Sequence, residues 1–150
     1  MRKYRNIFIS SLVTFLGVTG LAELANLTKQ PLLIAPFGAS FLILSAMPES
    51  PFARPKNIAL GYLLSAAVGL IVLKTLGENI WTLGLAVALA IFVMDVTKTV
   101  HPPAGAVPLL ILLSKPDWKF LLTPIFVSAI LLVGLSLINR ELFRRKLLYV

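Results

Sequence analysis

Four apolar runs, Ile7 to about Ala25, Asn57 to Thr75, Ile80 to Thr97 and Leu121 to Asn139, dictate what this chain can become. Each is close to the ~20 residues an α-helix needs to cross the hydrocarbon of a bilayer. With 58% hydrophobic and 13% charged residues in 150, the chain has too little polar material to cover a soluble globule. The expectation is an all-α integral membrane protein, one domain over residues 1–150. The first run follows the basic start Met1-Arg2-Lys3-Tyr4-Arg5, as a secretory leader would. It is longer than a usual leader core, and cleavage after Ala25 would set Glu23 where a small residue is wanted, so it reads as a spanning helix. The absence of cysteine excludes disulfides, thiol chemistry and cysteine-ligated metal. No cofactor or metal is expected.

Between the long runs lie two shorter apolar stretches, Leu32 to Ala46 and Pro103 to Ser114. As helices they reach only about 18 to 22 Å at 1.5 Å per residue, so neither crosses without irregular flanks. They share a pattern: Pro36-Phe37-Gly38-Ala39 opens one and Pro103-Ala104-Gly105-Ala106 the other. Each then runs through leucine and isoleucine to a serine (Ser45, Ser114), a proline (Pro48, Pro116) and an acid (Glu49, Asp117). All ten prolines fall in two clusters, Pro31 to Pro55 and Pro102 to Pro124. The chain therefore reads as two copies of one unit, long helix, short broken element, long helix, over about residues 6–76 and 80–145.

Basic residues choose the threading. If the short elements cross, one side holds Arg2, Lys3, Arg5, Arg54, Lys56, Lys98, Arg140, Arg144, Arg145 and Lys146, and the other Lys29, Lys74, Lys115 and Lys119, ten against four. If they dip in and return, Arg54, Lys56 and Lys98 change sides with Lys74, and the count becomes eight against six. Positive charge collects on the cytoplasmic side, so crossing is favoured. The expectation is a compact bundle of four long transmembrane helices and two half-helices in an inverted 3+3 repeat, with both termini cytoplasmic in an inner or plasma membrane.

The stretch "VTKTVHPPAGAVP", residues 96–108, is the most polar and least helical part of the second half. Backbone donors cannot stay unpaired in hydrocarbon, so such a segment must face protein or a wet cavity. The residue before a proline is pushed to extended geometry, which places His101 just outside a helix whose first turn holds Pro102 and Pro103. Ala104, Gly105 and Ala106 would then offer N–H groups at the positive end of a half-helix. Pro36, Gly38, Ala39 and Ser40 offer the same from the first copy, with the Ser40 hydroxyl as a further donor. Two such ends facing a shared pocket near the midplane would bind a small anion, flanked by Asn57, Lys98 and Thr99. Pro108, inside the second half-helix, would kink it.

His101-Pro102-Pro103-Ala104-Gly105-Ala106 after Asp95 and Lys98, with Pro36-Phe37-Gly38-Ala39-Ser40 and the loop Pro48-Glu49-Ser50-Pro51 through Arg54-Pro55-Lys56-Asn57, resembles the HPP family of integral membrane proteins. The resemblance runs over nearly the whole chain. It implies transport, and members from photosynthetic lineages are associated with moving nitrite across cyanobacterial or plastid membranes. The family is commonly described as having four spans.

Simpler roles stand beside these. Arg54, Lys56 and Lys98 either form an anion-attracting vestibule or only enforce topology. Asp95 either relays protons with His101 or pairs with Lys98 one turn away. Gly61, Ser65 and Gly69 form a small-residue stripe suited to packing inside the bundle or, alternatively, to an oligomer seam. A monovalent anion entering a negative-inside cell loses about 2.3 kcal/mol per 100 mV, which one coupled proton would remove. Asp95 and His101 are the candidate carriers in the second copy, Glu23 and Glu49 in the first. A passive anion channel and a membrane scaffold or sensor are the competing readings. No GxSxG or HExxH pattern occurs, and one histidine with one acid makes neither a triad nor a metal site, so no enzyme is expected. The expected partners are a small anion and the lipid bilayer, with no nucleic acid, because the basic residues are divided among loops and tails.

Overall fold

A computed structural model describes residues 2–28 and 34–147. Lys29, Pro31 and the first two residues of the Leu32–Ala46 stretch lie outside the described residues. The described chain contains no strand; it forms six helices, α1 (Arg2–Thr28), α2 (Ile34–Ala46), α3 (Pro55–Leu76), α4 (Ile80–Val96), α5 (Val107–Ser114) and α6 (Val127–Leu147). Prolines account for the irregular pieces. Pro51–Ala53 is one 3₁₀ turn, capped by the Ser50 hydroxyl, which accepts from the Phe52 amide at 3.2 Å. Pro102–Ala106 is a longer 3₁₀ turn that runs straight into α5. Pro124, lacking an N–H and crowding the carbonyl a turn earlier, sits in a widened π-helical turn, Leu121–Phe126, ahead of α6.

Two helical stretches, Pro55–Leu76 and Leu121–Arg140, are long and apolar enough to cross a membrane. Among the other apolar stretches, Ser11–Leu27 and Ile80–Val96 are shorter than that length, at no more than 17 residues. For α4 the stop is built in. The Thr99 amide bonds the Met94 carbonyl at 2.8 Å and the Lys98 amide bonds that of Asp95 at 3.0 Å, with Lys98 left-handed at φ 54°. This is the six-to-one and five-to-two pairing that closes a helix C-terminus, and it turns the chain back toward the bundle. The other end of α4 is fixed by Asn79, whose side chain accepts from the Trp81 and Thr82 amides at 2.9 and 3.1 Å. Thr82 Oγ1 accepts from the Asn79 amide in return, at 2.9 Å. Gly77, at φ 74°, makes the preceding turn out of α3, a left-handed conformation that favours glycine.

Helix α3 is the axis of the bundle and packs on α4, α5 and α6, while α1 packs on α2. Its small-residue stripe explains how closely the half-helix approaches. A methyl added at Gly61 would stand 2.9 Å from His101 Cβ and 3.2 Å from the Thr99 carbonyl oxygen; one added at Gly69 would stand 3.0 Å from Pro108 Cα. Gly61, Ser65 and Gly69 are all buried. The stripe thus serves packing within the chain, and the oligomer seam proposed for it on sequence grounds has no free surface there.

The two ends of the bundle differ in charge. At one end two ion pairs tie the α3–α4 turn to the α5–α6 connection, Lys115 with Glu78 at 3.1 Å and Lys74 with Asp117 at 3.6 Å. At the other end of α3 lie exposed Arg54 and Lys56, with exposed Lys98 at the end of antiparallel α4. The Pro102–Ser114 element starts near Asn57 and Gly61 and finishes beside Glu78, so it travels along α3 rather than doubling back. Likewise α2 ends where Leu44 O accepts from Asn139 Nδ2 at 3.3 Å and Ala53 O accepts from Ser136 at 2.6 Å, at the α3-start end.

A buried histidine between two short helices

His101 is fully buried, and both of its ring nitrogens are engaged. Nδ1 lies 2.8 Å from the Phe52 carbonyl oxygen and Nε2 lies 2.7 Å from Ser40 Oγ. A carbonyl only accepts, so Nδ1 carries the hydrogen of the neutral ring and Nε2 is the acceptor. Ser40 is then the donor to Nε2, and its oxygen takes the Tyr62 hydroxyl at 2.9 Å. The order Tyr62 to Ser40 to His101 to Phe52 joins α3, α2, the loop before the 3₁₀ turn and the Pro51–Ala53 turn. All four groups find partners in an otherwise apolar setting, the condition under which buried polarity is tolerated. Phe37 stacks on Tyr62 with ring centroids 5.1 Å apart, and the Tyr62 and His101 rings lie 5.4 Å apart.

The approach of residues 99–101 is held by more than the ring. Asn57 donates from Nδ2 to the Val100 carbonyl at 2.9 Å, and buried Thr99 bonds Thr97 through their hydroxyls at 2.7 Å. His101 has extended backbone, φ −131° and ψ 99°, as a residue before proline requires. Gly61 lies six residues into the 22-residue α3, so the histidine sits about 9 Å along that helix from its basic end, in the half of the bundle nearer Arg54 and Lys56.

Several expected site features are arranged differently. The half-helix starts do not point at each other. Ser40, in the middle of α2, faces His101 at the start of the 3₁₀ turn, whereas Ala35 and Pro36 line a groove with Ala106, Leu109, Leu110, Leu113 and Ser114. The two elements therefore lie side by side and antiparallel, and the groove of about 400 Å³ between them is walled mainly by aliphatic side chains. Nor does the second half-helix present the free amides expected of it. Pro102 and Pro103 have none, and the Ala104 amide is bonded to the His101 carbonyl at 2.9 Å. Gly105 and Ala106 continue the same 3₁₀ turn, whose i-to-i−3 bonds use donors an α-helical start would leave open.

Asp95 is exposed, and neither His101 nitrogen is directed to it, so the two form no relay. Among the described residues no ion pair joins Asp95 to Lys98; their link is the backbone bond of the helix stop. Ala39, Pro102 and Ala106 are exposed, Gly38 and Gly105 partly so, and Pro36, Pro103 and Ala104 are buried. Tyr62 went unnoticed in the sequence, although a lone phenol inside an apolar helix, one position from a close-packing glycine, signals a buried hydroxyl that needs a partner. A serine hydroxyl 2.7 Å from an imidazole also resembles a nucleophile and base. Here the third group is a main-chain carbonyl rather than a carboxylate and Ser40 is buried, so the pair lacks the orienting acid and the open face of a nucleophile.

A family model described as HPP, transmembrane region, matches residues 1–147. Two curated proteins of Dictyostelium discoideum, each described as a transmembrane protein, are similar to the chain. One is 32% identical across 91% of this chain and 48% of its own length, the other 31% identical across 90% and 52%. The chain spans about half the length of these relatives. No solved structure matches it.

Proposed function

The chain belongs to the HPP transmembrane family, and on that basis we propose that this membrane protein carries a small inorganic anion, with nitrite the first candidate, across the bilayer. The observation that carries the reading is the hydrogen-bonded chain of Tyr62, Ser40 and His101 at the contact of the two short helices. An ionisable side chain at membrane depth is costly and marks a pathway or site more often than a scaffold. Exposed Arg54, Lys56 and Lys98 lie at the nearer end and would raise the local concentration of anions. In this reading α1, α3, α4 and α6 all cross the membrane, the short elements cross between them, and the two halves are inverted copies with cytoplasmic termini. Passage then requires the antiparallel contact of α2 with the 3₁₀ turn to open. The protein is a carrier, not an enzyme.

A second reading, a membrane scaffold without transport, draws on the complete satisfaction of His101 by partners within the chain. Purified protein in liposomes separates the two. Nitrite uptake that saturates, exceeds that of empty vesicles and is competed by nitrate or formate supports the carrier. Uptake equal to empty vesicles supports the scaffold.

A further inference from the structure

The Ser40 hydroxyl has two acceptors within reach and one hydrogen to give. It lies 2.7 Å from His101 Nε2 and 3.2 Å from the carbonyl oxygen of Pro36, one helical turn back in α2. With a neutral ring the hydrogen goes to Nε2. If Nε2 takes up a proton it becomes a donor, and the only change needed is rotation of the Ser40 hydrogen to Pro36 O. Ser40 Oγ then accepts from both Nε2 and Tyr62, while Nδ1 continues to donate to Phe52 O. One proton enters from water, no other bond is made or lost, and no polar group of the network is left without a partner in either state. A purely structural connection needs only the first arrangement.

We propose that His101 is the binding site of a coupling proton, that Ser40 is the positioning residue whose hydroxyl switches between Nε2 and Pro36 O, and that proton and anion bind together. This rests on the anion-carrier reading and deepens it. The charges around the ring supply the reason for joint binding. The α2 residues Ile34–Ala46 and the segment Pro102–Ser114 contain no ionisable side chain. On α3 the ionisable group facing the ring is Tyr62, whose hydroxyl is engaged with Ser40 Oγ, while Arg54 and Lys56 are exposed; on α4 and its loop Asp95 and Lys98 are exposed; Glu49, before the Pro51–Ala53 turn, is exposed as well. A protonated imidazole there has no carboxylate to balance it, and a buried charge without a counter-charge is strongly disfavoured. An arriving anion supplies that charge, and the pair crosses with no net charge moved. By reciprocity, whatever the anion adds to proton affinity the proton adds to anion affinity.

His101 is the chain's sole histidine, so its ring signals need no assignment. The test is nitrogen NMR of the full chain with labelled histidine in lipid nanodiscs, titrated with pH without anion and then with saturating nitrite or nitrate. The expected result is a neutral ring hydrogen on Nδ1 in the absence of anion, and a protonation midpoint raised by about one pH unit or more by either anion, equivalent to roughly tenfold tighter anion binding to the protonated form. Ser40→Ala is expected to abolish the anion-dependent rise, which a residue of purely structural role would leave in place. A hydrogen on Nε2, or a midpoint indifferent to both anions, overturns the proposal. The outcomes separate from those of the flux assay. Saturable uptake with an unmoved midpoint sinks proton coupling alone, and a raised midpoint without uptake upholds the joint site while ending the carrier reading.

Discussion

At the scale of the residue, the contact between the short helices depends on one hydroxyl. Replacing Ser40 by alanine leaves His101 Nε2 and the Tyr62 hydroxyl without the partner that joins them. The expected cost is about 1–3 kcal/mol, read as earlier thermal unfolding in detergent. Gly61→Ala tests the same contact from the other side, because the new methyl would press on His101 Cβ and the Thr99 carbonyl. Backbone cannot yield as a side-chain tip can, so a loss of about 1–3 kcal/mol is expected, with displacement of the histidine ring signals. His101, Ser40 and Asn57 stood out in the sequence as polar groups beside proline-broken helices, expected there around a small anion, and the structure pairs them within the chain. Which partners was not legible. Asp95 is six positions from His101 along the chain, but the left-handed turn at Lys98 sends the loop inward and leaves the carboxylate outside, while Ser40 and Phe52 arrive from more than forty residues away.

At the scale of the element, caps decide where helices stop. Asn79 holds two amides of the first turn of α4, so Asn79→Ala is expected to lower stability by about 1 kcal/mol, measured by denaturation of the full chain, whereas Asn79→Ser should recover most of it. The long helices were readable because runs of apolar residues ended by proline, glycine or asparagine leave few alternatives. The short elements were readable in position and misread in detail. A proline pair followed by small residues suits an α-helical start with open amides, yet it equally suits a 3₁₀ turn, and spacing alone does not distinguish them. In the 3₁₀ form adopted, Pro103 and Ala104 are buried. The π-helical turn around Pro124 was not anticipated either, although a proline inside an apolar run signals a local irregularity without saying which kind.

At the scale of the whole molecule, the two ends of the bundle are expected to face opposite sides of the membrane. Arg54, Lys56 and Lys98 belong to one end of the bundle, and the Lys74–Asp117 and Lys115–Glu78 pairs to the other. Because the chain lacks cysteine, single replacements report cleanly. Lys56→Cys and Lys98→Cys are expected to react with an impermeant thiol reagent from one face of oriented vesicles, and Asp117→Cys from the opposite face; reaction of Lys56→Cys and Asp117→Cys from the same face would contradict crossing by the short elements. Which basic residues lie at which end was legible from the sequence, since it follows from their places between the apolar runs. The claim on which the functional account turns is that anion passage uses the Ser40–His101 contact. Its most direct test is the initial rate of nitrite uptake by liposomes holding equal amounts of folded wild-type protein or His101→Gln, which keeps a polar side chain but cannot take up a proton near neutral pH. The account predicts a fall of about tenfold or more, roughly 1.4 kcal/mol, with the protein still inserted and folded. A variant that carries nitrite as fast as the wild type would contradict it.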